Sequence, residues 1–467
     1  MKKEQNKIFL YNTLTKKEET FKPIKSNEVG IYSCGPTVYW YQHIGNLRTY
    51  IFSDILKRTL MHAGYKIKQI INITDVGHLT SDADEGEDKM EKAAKKEHKS
   101  AQEIANHYFS VFHGDMKKLN ILEPSKWTKA TEHIKEQIEL IKKLEKKGYT
   151  YKTSDGIYFN TKKFKSYGKL ANLNINELKA GKRIDMGDKK NKTDFALWKF
   201  SNESDKRQQE WASPWGVGFP GWHIECSAMS MKYLGNHFDI HTGGQDHIPI
   251  HHTNEIAQSE AVTNKKFVNY WLHGAFLLFN GEKVSKSTGG LYTIDELEKL
   301  GYKPMHYRYL CLQTHYRKPL NFSLEALDAS KNAYENLKRK IVELRKNHFP
   351  GDNSKEKYES EFHKAVYNDL SIPTALQVFH NALDDKDFDS KIKLKLLEHF
   401  DSILGLGIKE MKEEKVKIPK SVLDLAKERE KLRKDKMWVE ADIIRSRIQE
   451  LGFLVQDTLS GSKLEKN

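Results

Sequence analysis

The stretch from Ile31 to Asn46, Ile-Tyr-Ser-Cys-Gly-Pro-Thr-Val-Tyr-Trp-Tyr-Gln-His-Ile-Gly-Asn, constrains the fold of this chain more than any other. Upstream, Glu28 to Cys34 reads as a short buried strand, and downstream Leu47, Tyr50, Ile51, Ile55, Leu56 and Leu60 recur at helical spacing. A strand-to-helix junction offers free N–H groups and a positive dipole end to a phosphate. The same turn carries a thiol, Cys34. Gly64 then breaks the helix, and Ile67 to Ile73 reads as a β-branched strand ending at Asn72-Ile-Thr-Asp75. This βαβ order implies a parallel sheet with its ligand site at the carboxyl ends of the strands, where Cys34, His43 and Thr74 would share one rim.

A chain of 467 residues has room for about three domains. No apolar run approaches the ~18 residues of a membrane span. The opening Met-Lys-Lys-Glu-Gln-Asn lacks the apolar core of a secretion signal, so a cytoplasmic protein without membrane contact is expected. The 78 basic and 64 acidic residues leave a net charge of +14. That excess favours a polyanionic partner such as nucleic acid, although a lysine-rich organism would produce it without one. Three cysteines, Cys34, Cys226 and Cys311, argue against a disulfide framework and leave room for metal-bound thiolates.

Helical patterns at Ala101 to Leu119 and His133 to Lys147 end at Gly148, and Tyr149 to Lys162 reads as a strand pair turning at Ser154-Asp155-Gly156. The segment from Ser81 to Ser100, dense in Asp, Glu and Lys, reads as a solvated loop passing into a helix. From Trp211 to His223 the glycines and prolines are expected to forbid regular structure. Alternation resumes at Phe238 to Gly244, and Val268 to Phe279 is one further strand candidate before Asn280-Gly281. An inserted module splitting one parallel-sheet domain explains this order. Beyond about residue 325 the chain is expected to be helical to its end. Candidate helices span Ala326 to Arg345, Glu359 to Asn368, Ile372 to Leu383 and Ser390 to Ile408; a linker at Glu413 to Lys420 precedes a helical hairpin.

Two constellations carry chemistry. His251 and Glu255 lie one helical turn apart, so one face can aim both at a single ion, with Cys34 and Cys226 as thiolate candidates. Pro249 suits the first turn of that helix, leaving His247 before it. Two cysteines, one histidine and one carboxylate satisfy zinc. Spacing alone also allows two ordinary core cysteines beside a histidine-rich segment, since no compact Cys-x-x-Cys pair is present. The second constellation is the helix start at His43-Ile-Gly-Asn46 together with Lys283-Val-Ser-Lys-Ser-Thr-Gly-Gly290, a basic loop able to neutralise charge on a pyrophosphate leaving group. Taken alone, that loop reads more readily as a flexible solvated segment.

The paired nucleotide motifs resemble the two signatures of class I aminoacyl-tRNA synthetases. Cys34-Gly-Pro-Thr-Val-Tyr, Asn72-Ile-Thr-Asp, Gly221-Trp-His-Ile-Glu-Cys226-Ser-Ala-Met, His251-His-Thr-Asn-Glu255-Ile-Ala-Gln and Lys283-Val-Ser-Lys-Ser together resemble the cysteinyl-tRNA synthetase family. The likeness extends to Lys434-Asp-Lys-Met-Trp-Val-Glu-Ala-Asp442, which resembles the family's anticodon-recognition region. It implies a two-step ligase acting on cysteine, ATP (with Mg2+) and tRNA(Cys), with one zinc ion per chain on Cys34, Cys226, His251 and Glu255. It further implies ATP contacts from His43, Gly45, Asn46, Gly243, Gly244, Asp246 and Lys286, and catalytic roles for His43, Asn46, Lys283 and Lys286. Gly35, Thr74 and Trp222 would line the amino-acid pocket.

The fold implied is an α/β Rossmann-type parallel-sheet domain split by a connective insertion and followed by α-helical tRNA-binding C-terminal domains, in a monomer. Its expected parts are 1–119 and 226–282 as the two halves of the catalytic domain, with 120–225 as the insertion. The signature loop and stem-contact region would span 283–325, a helical bundle 326–412 and the anticodon region 413–467. Asn46 replaces the usual second histidine of the first signature and keeps a hydrogen-bond donor; Val284 replaces a methionine. The family's usual Pro-His-His-Glu-Asn-Glu reads Ile250-His-His-Thr-Asn-Glu255, and Val76 to Lys89 is longer and more acidic than usual. Two other functions share parts of this pattern: a cysteine ligase with an amino-sugar acceptor, and a non-catalytic zinc-dependent RNA-binding protein.

Overall fold

The computed structural model describes residues 7–77, 88–172, 188–201, 207–279, 281–283, 292–413, 419–458 and 461–466. These residues fall into two compact units, Met1–Glu410 and Met411–Asn467.

The first unit opens with an antiparallel hairpin, β1 (Phe9–Asn12) and β2 (Lys17–Thr20). Then β3 (Glu28–Ser33), helix α1 (Ile44–His62) and β4 (Lys66–Ile73) form a parallel βαβ unit. Helices α2 (Lys89–Glu97) and α3 (Ala101–Lys118) lead to β5 (Lys126–Lys129), and α4 (Ile134–Lys146) follows. Most of the acidic loop expected before α2 lies outside the described residues. An antiparallel sheet comes next, of β6 (Thr150–Lys152), β7 (Gly156–Phe159), β8 (Phe195–Phe200) and β9 (Gly218–Pro220). Helix α5 (Trp222–Leu234), β10 (Phe238–Gly244), α6 (His251–Thr263) and β11 (Val268–Gly274) return the chain to the parallel sheet.

The parallel sheet has the order β11-β10-β3-β4-β5. From β3 the chain builds outward through β4 to β5, and on the other side from β10 to β11, so the order reverses between β3 and β10. Such a reversal opens a crevice at the strands' carboxyl ends, the usual ligand position in open α/β sheets. The last five residues of β4 are all buried, as both faces of a parallel strand should be.

Several expectations needed correction. Strand β5 lies within the stretch expected as insertion, yet it pairs in parallel with β4 from Ile70↔Lys126 to Ile73↔Lys129. The break in alternation therefore begins only after α4. Gly218–Pro220 is a strand despite its composition; β9 is the edge of its sheet, where proline's missing N–H is tolerated. The strand expected over Val268 to Phe279 is cut after Gly274. There the buried guanidinium of Arg48 takes the carbonyls of Ala275 at 2.9 Å and Phe276 at 2.6 Å. The remainder becomes β12 (Leu277–Phe279), which joins β13 (Glu282–Lys283) and β14 (Leu320–Phe322) in a separate small sheet.

Short helices α7 (Ile294–Lys299) and α8 (Pro304–Leu312) precede the bundle of α9 (Leu324–Lys346), α10 (Lys355–Val366), α11 (Ile372–Asp384) and α12 (Ser390–Leu404). Helix α12 stops short of Ile408 because Gly405 turns left-handed at φ +62°. The second unit pairs α13 (Lys420–Lys434) with α14 (Trp438–Glu450), and most of the linker expected before it lies outside the described residues. It ends in a hairpin, β15 (Phe453–Thr458) and β16 (Gly461–Lys466), rather than in helix. Phe453 and Val455 are the reason: they close a small core with Val422, Ala426, Ile444 and Ile448. Among the described residues, no helix is long and apolar enough to cross a membrane.

Candidate active site

Strands β3 and β10 pair in parallel from Ile31↔Ile240 to Ser33↔Thr242, and just beyond β3 Cys34 N donates to Thr242 O at 3.1 Å. Above it opens a cavity of about 270 Å³. Its wall includes Cys34, Gly35, Asn46, Thr74, Trp222, Cys226, Gly244, Asp246 and His251, all singled out in the sequence. His43, Gly45, Gly243 and Glu255 stand outside that wall.

Cys34 follows β3, Cys226 sits in the first turns of α5, and His251 and Glu255 lie on successive turns of α6. One donor atom from each of the four falls within 4.8 Å of the others, and all four residues are buried. Helix α6 starts at His251, so Pro249 lies just ahead of the helix rather than in its first turn. His251 Nε2 is 3.2 Å from Glu255 Oε1, while its Nδ1 faces His223 Nδ1 at 3.0 Å. The other carboxylate oxygen, Oε2, is 3.1 Å from His241 Nε2. Buried Glu255 Oε1 makes no well-aligned hydrogen bond, the state expected of an atom reserved for a cation.

A second tetrad, Cys34, His241, His252 and Glu255, is equally close. His241 and His252 do not reach the cavity wall, whereas Cys34, Cys226 and His251 do. The first set thus has three of its four members on the cavity wall and the second has Cys34 alone, which favours the first as the set that keeps a coordination position open to a ligand. His252 instead supports it, with Nε2 3.2 Å from Cys34 Sγ and Nδ1 2.7 Å from His273 Nε2. Such outer partners orient metal ligands.

Burial sets the electrostatics. It pushes the Cys34 thiol well above its ordinary pKa, reinforced by its hydrogen bond with Cys226, and it also raises Cys226. It raises the Glu255 carboxyl against the pull of His241, and drives His252 well down, with His241 and His273 adding repulsion. In each case burial disfavours the charged form. A cation inverts that preference for thiols and carboxylate together.

Backbone fit is tight beside the thiol. Gly35 N donates to Asn72 Oδ1 at 2.7 Å, and a Cβ on Gly35 would stand 1.6 Å from the Asn72 carbonyl oxygen. Asn72 Nδ2 in turn donates to Thr74 Oγ1 at 3.1 Å, and Thr74 to Glu225 Oε2 at 3.2 Å. On the other strand, a Cβ on Gly243 would meet the His252 ring at 2.6 Å. Both glycines let backbone lie against a crowded donor cluster.

His43 caps α1: its Nδ1 accepts from Gly45 N at 3.1 Å, and Asn46 Oδ1 accepts from His43 N at 3.3 Å. This capping box fixes the first turn and presents Asn46 to the cavity. Lys283 closes the short strand β13, with its backbone alone described, and Lys286 lies outside the described residues.

Sequence reasoning missed His223, His241, His252, Asn72 and Glu225. Six histidines crowd one segment of sequence, and only their orientation separates donors from supports.

A family model described as the tRNA synthetases class I (C) catalytic domain matches residues 20–332. "Cysteine--tRNA ligase 1" of Burkholderia lata is 47% identical over 459 residues, covering 98% of this chain and 96% of that protein. "Cysteine--tRNA ligase" of Treponema denticola is 44% identical over 479 residues, covering 96% and 97%. Among solved structures, Mycobacterium tuberculosis methionyl-tRNA synthetase bound by methionyl-adenylate superposes with a TM-score of 0.55 at 13% identity, covering 81% of this chain and 90% of that one. That likeness concerns the fold alone.

Proposed function

The chain belongs to the cysteine–tRNA ligase family of class I aminoacyl-tRNA synthetases, and we propose from that premise which of its residues charge tRNA with cysteine, and how. The family implies ATP, cysteine and tRNA as substrates. The amino-sugar ligase and the non-catalytic RNA-binding protein are not favoured, because cysteine–tRNA ligases match this chain from end to end.

Cys34, Cys226, His251 and Glu255 would hold zinc. The observation that carries this reading is a buried donor set, rich in sulfur, opening onto the cavity at the sheet's switch point. When bound, the ion supplies Lewis acidity that keeps the thiol of substrate cysteine as thiolate. A serine hydroxyl is a poorer match for sulfur-rich coordination, so discrimination needs no separate editing site.

Gly35, Thr74 and Trp222 line the amino-acid pocket in this reading, with the Asn72–Thr74–Glu225 chain of hydrogen bonds holding Thr74 in place. The carboxylate of cysteine attacks the α-phosphate of ATP, and the bond to pyrophosphate breaks. The first turn of α1, with His43, Gly45 and Asn46, would position the phosphates. Asn46 uses its Oδ1 in the cap, which leaves Nδ2 to donate towards the nucleotide. Gly243, Gly244 and Asp246 take the nucleoside side, while Lys283 and Lys286, with Mg2+, neutralise the leaving pyrophosphate. A ribose hydroxyl of tRNA then attacks the adenylate carbonyl and releases AMP. The bundle after residue 325 and the unit from Met411 would bind tRNA(Cys), and the protein would work in the cytoplasm as a monomer.

The test is exchange of pyrophosphate into ATP, with cysteine against serine, in the intact protein and in Cys226→Ala. We expect exchange with cysteine, little with serine, and loss of zinc and of exchange together in the variant. Strong cysteine-dependent exchange in Cys226→Ala would overturn the thiolate role.

A further inference from the structure

A second group of imidazoles meets at the other end of α1. His62, the last residue of α1, His363 on α10 and His399 on α12 each place a ring nitrogen within 4.8 Å of the other two. The cluster lies about 28 Å along the helix from His43, at the usual rise per residue. His62 Nε2 and His363 Nε2 are 2.8 Å apart. The ring centroid of His399 is 4.6 Å from that of His62 and 6.2 Å from that of His363.

We propose that His62, His363 and His399 form a binding site for a divalent transition metal of the zinc, cobalt, nickel and copper group, clamping α1 to α10 and α12. Three imidazole donors select such ions over magnesium or calcium, which take oxygen ligands. Tetrahedral ligands at a bond of ~2.0–2.1 Å stand about 3.3 Å apart. That spacing falls between the 2.8 Å contact and the 4.8 Å envelope of the cluster, so small ring rotations suffice.

The surroundings fit the role. Ser402 Oγ lies 3.4 Å from His62 Nδ1, which leaves Nε2 as the atom turned to the cluster. Tyr367 stacks on the His363 ring at 5.5 Å, and Glu359 Oε1 lies 3.7 Å from His399 Nε2, within reach of a fourth coordination position through water. Burial and the two neighbouring rings hold the pKa of His62 down to about 4, so its lone pair is available at neutral pH. His62 and His363 are half-buried and His399 is exposed, which gives an ion a route from solvent. The site stands apart from the thiol-bearing donor set and does not depend on its assignment.

The test uses the full-length protein, loaded with one equivalent of zinc and freed of excess ion, then titrated with Co2+. We expect one further Co2+ per chain, with ligand-field absorption but no sulfur charge-transfer band, and a rise in the thermal midpoint. His399→Asn and His363→Gln should each weaken that uptake about ten-fold or more, with cysteine-dependent pyrophosphate exchange at the unmodified level as the control for folding. No uptake at micromolar Co2+, uptake in both variants as tight as in the unmodified protein, or a charge-transfer band accompanying it would each overturn the proposal.

Discussion

Asp54 is fully buried halfway along α1 and accepts from Arg58 Nε at 2.8 Å, from an Arg308 guanidinium nitrogen at 2.7 Å and from Leu122 N at 2.9 Å. Arg308 is equally buried, and desolvation lowers its pKa against the pull of Asp54. Removing the carboxylate charge would leave two enclosed guanidinium groups hydrogen-bonded only to backbone carbonyls, with Asp401 the remaining carboxyl group acting on them. Asp54→Asn should therefore cost ~3–5 kcal/mol, read as a lower urea midpoint at unchanged slope. Nothing in the helical periodicity of α1 marks this residue, because its partner arrives 254 positions later. The cavity differs: Cys34, Cys226, His251 and Glu255 stood out as donors by residue type and spacing, and they converge. The choice between His251 and His252 was legible only through their distance from Glu255 along one helix. His223, His241 and His252 carry the same chemistry, and their supporting places follow from side-chain direction, which adjacent residues do not reveal.

Elements were legible where periodicity was long and ended in a glycine. Helix α1 and strands β4 and β10 fall close to their expected bounds, and Gly148 and Gly64 both adopt positive φ where helices were expected to stop. Failures came where pairing partners decide. Edge strand β9 exists because β8 accepts it, and β12 parts from β11 because Arg48 claims the carbonyls between them. A joint between elements also carries a pH dependence. Helix α8 meets α9 through Glu335, which lies 3.1 Å from His306 Nε2 and 3.0 Å from Lys303 Nζ. The hydrogen bond from His306 and the charge of Lys303 hold the Glu335 carboxyl down to about 2, from an ordinary value of 4.5. A depressed value in the folded state means that this stabilisation is complete above pH 4.5 and fades as pH falls towards 2. Urea midpoints measured from pH 5 to pH 2 should thus fall more steeply for the intact protein than for Glu335→Gln. Parallel slopes would remove this joint from the account.

For the whole molecule, the proposed function makes the charge of +14 a contribution to holding tRNA. Affinity should drop by an order of magnitude or more between about 50 and about 200 mM salt, as measured by filter binding. An affinity indifferent to salt would assign recognition to something other than phosphate contacts. Sequence foretold the parallel sheet and the later helices, but the closing hairpin of the second unit was hidden, because its core depends on Phe453 and Val455 meeting α13 and α14. The strand order β11-β10-β3-β4-β5 also bears on the chain's birth at the ribosome. Strand β3 borders β10, and Asp54 waits for Arg308 across 254 residues. At ~5–20 residues per second, that interval lasts roughly 13 to 50 seconds. Through much of it the nascent chain carries a sheet edge open until β10 is made and a lone thiol at Cys34 until Cys226 is made, while Asp54 has Arg58 but not yet Arg308, a span in which chaperones and the reducing state of the compartment have the most influence on yield.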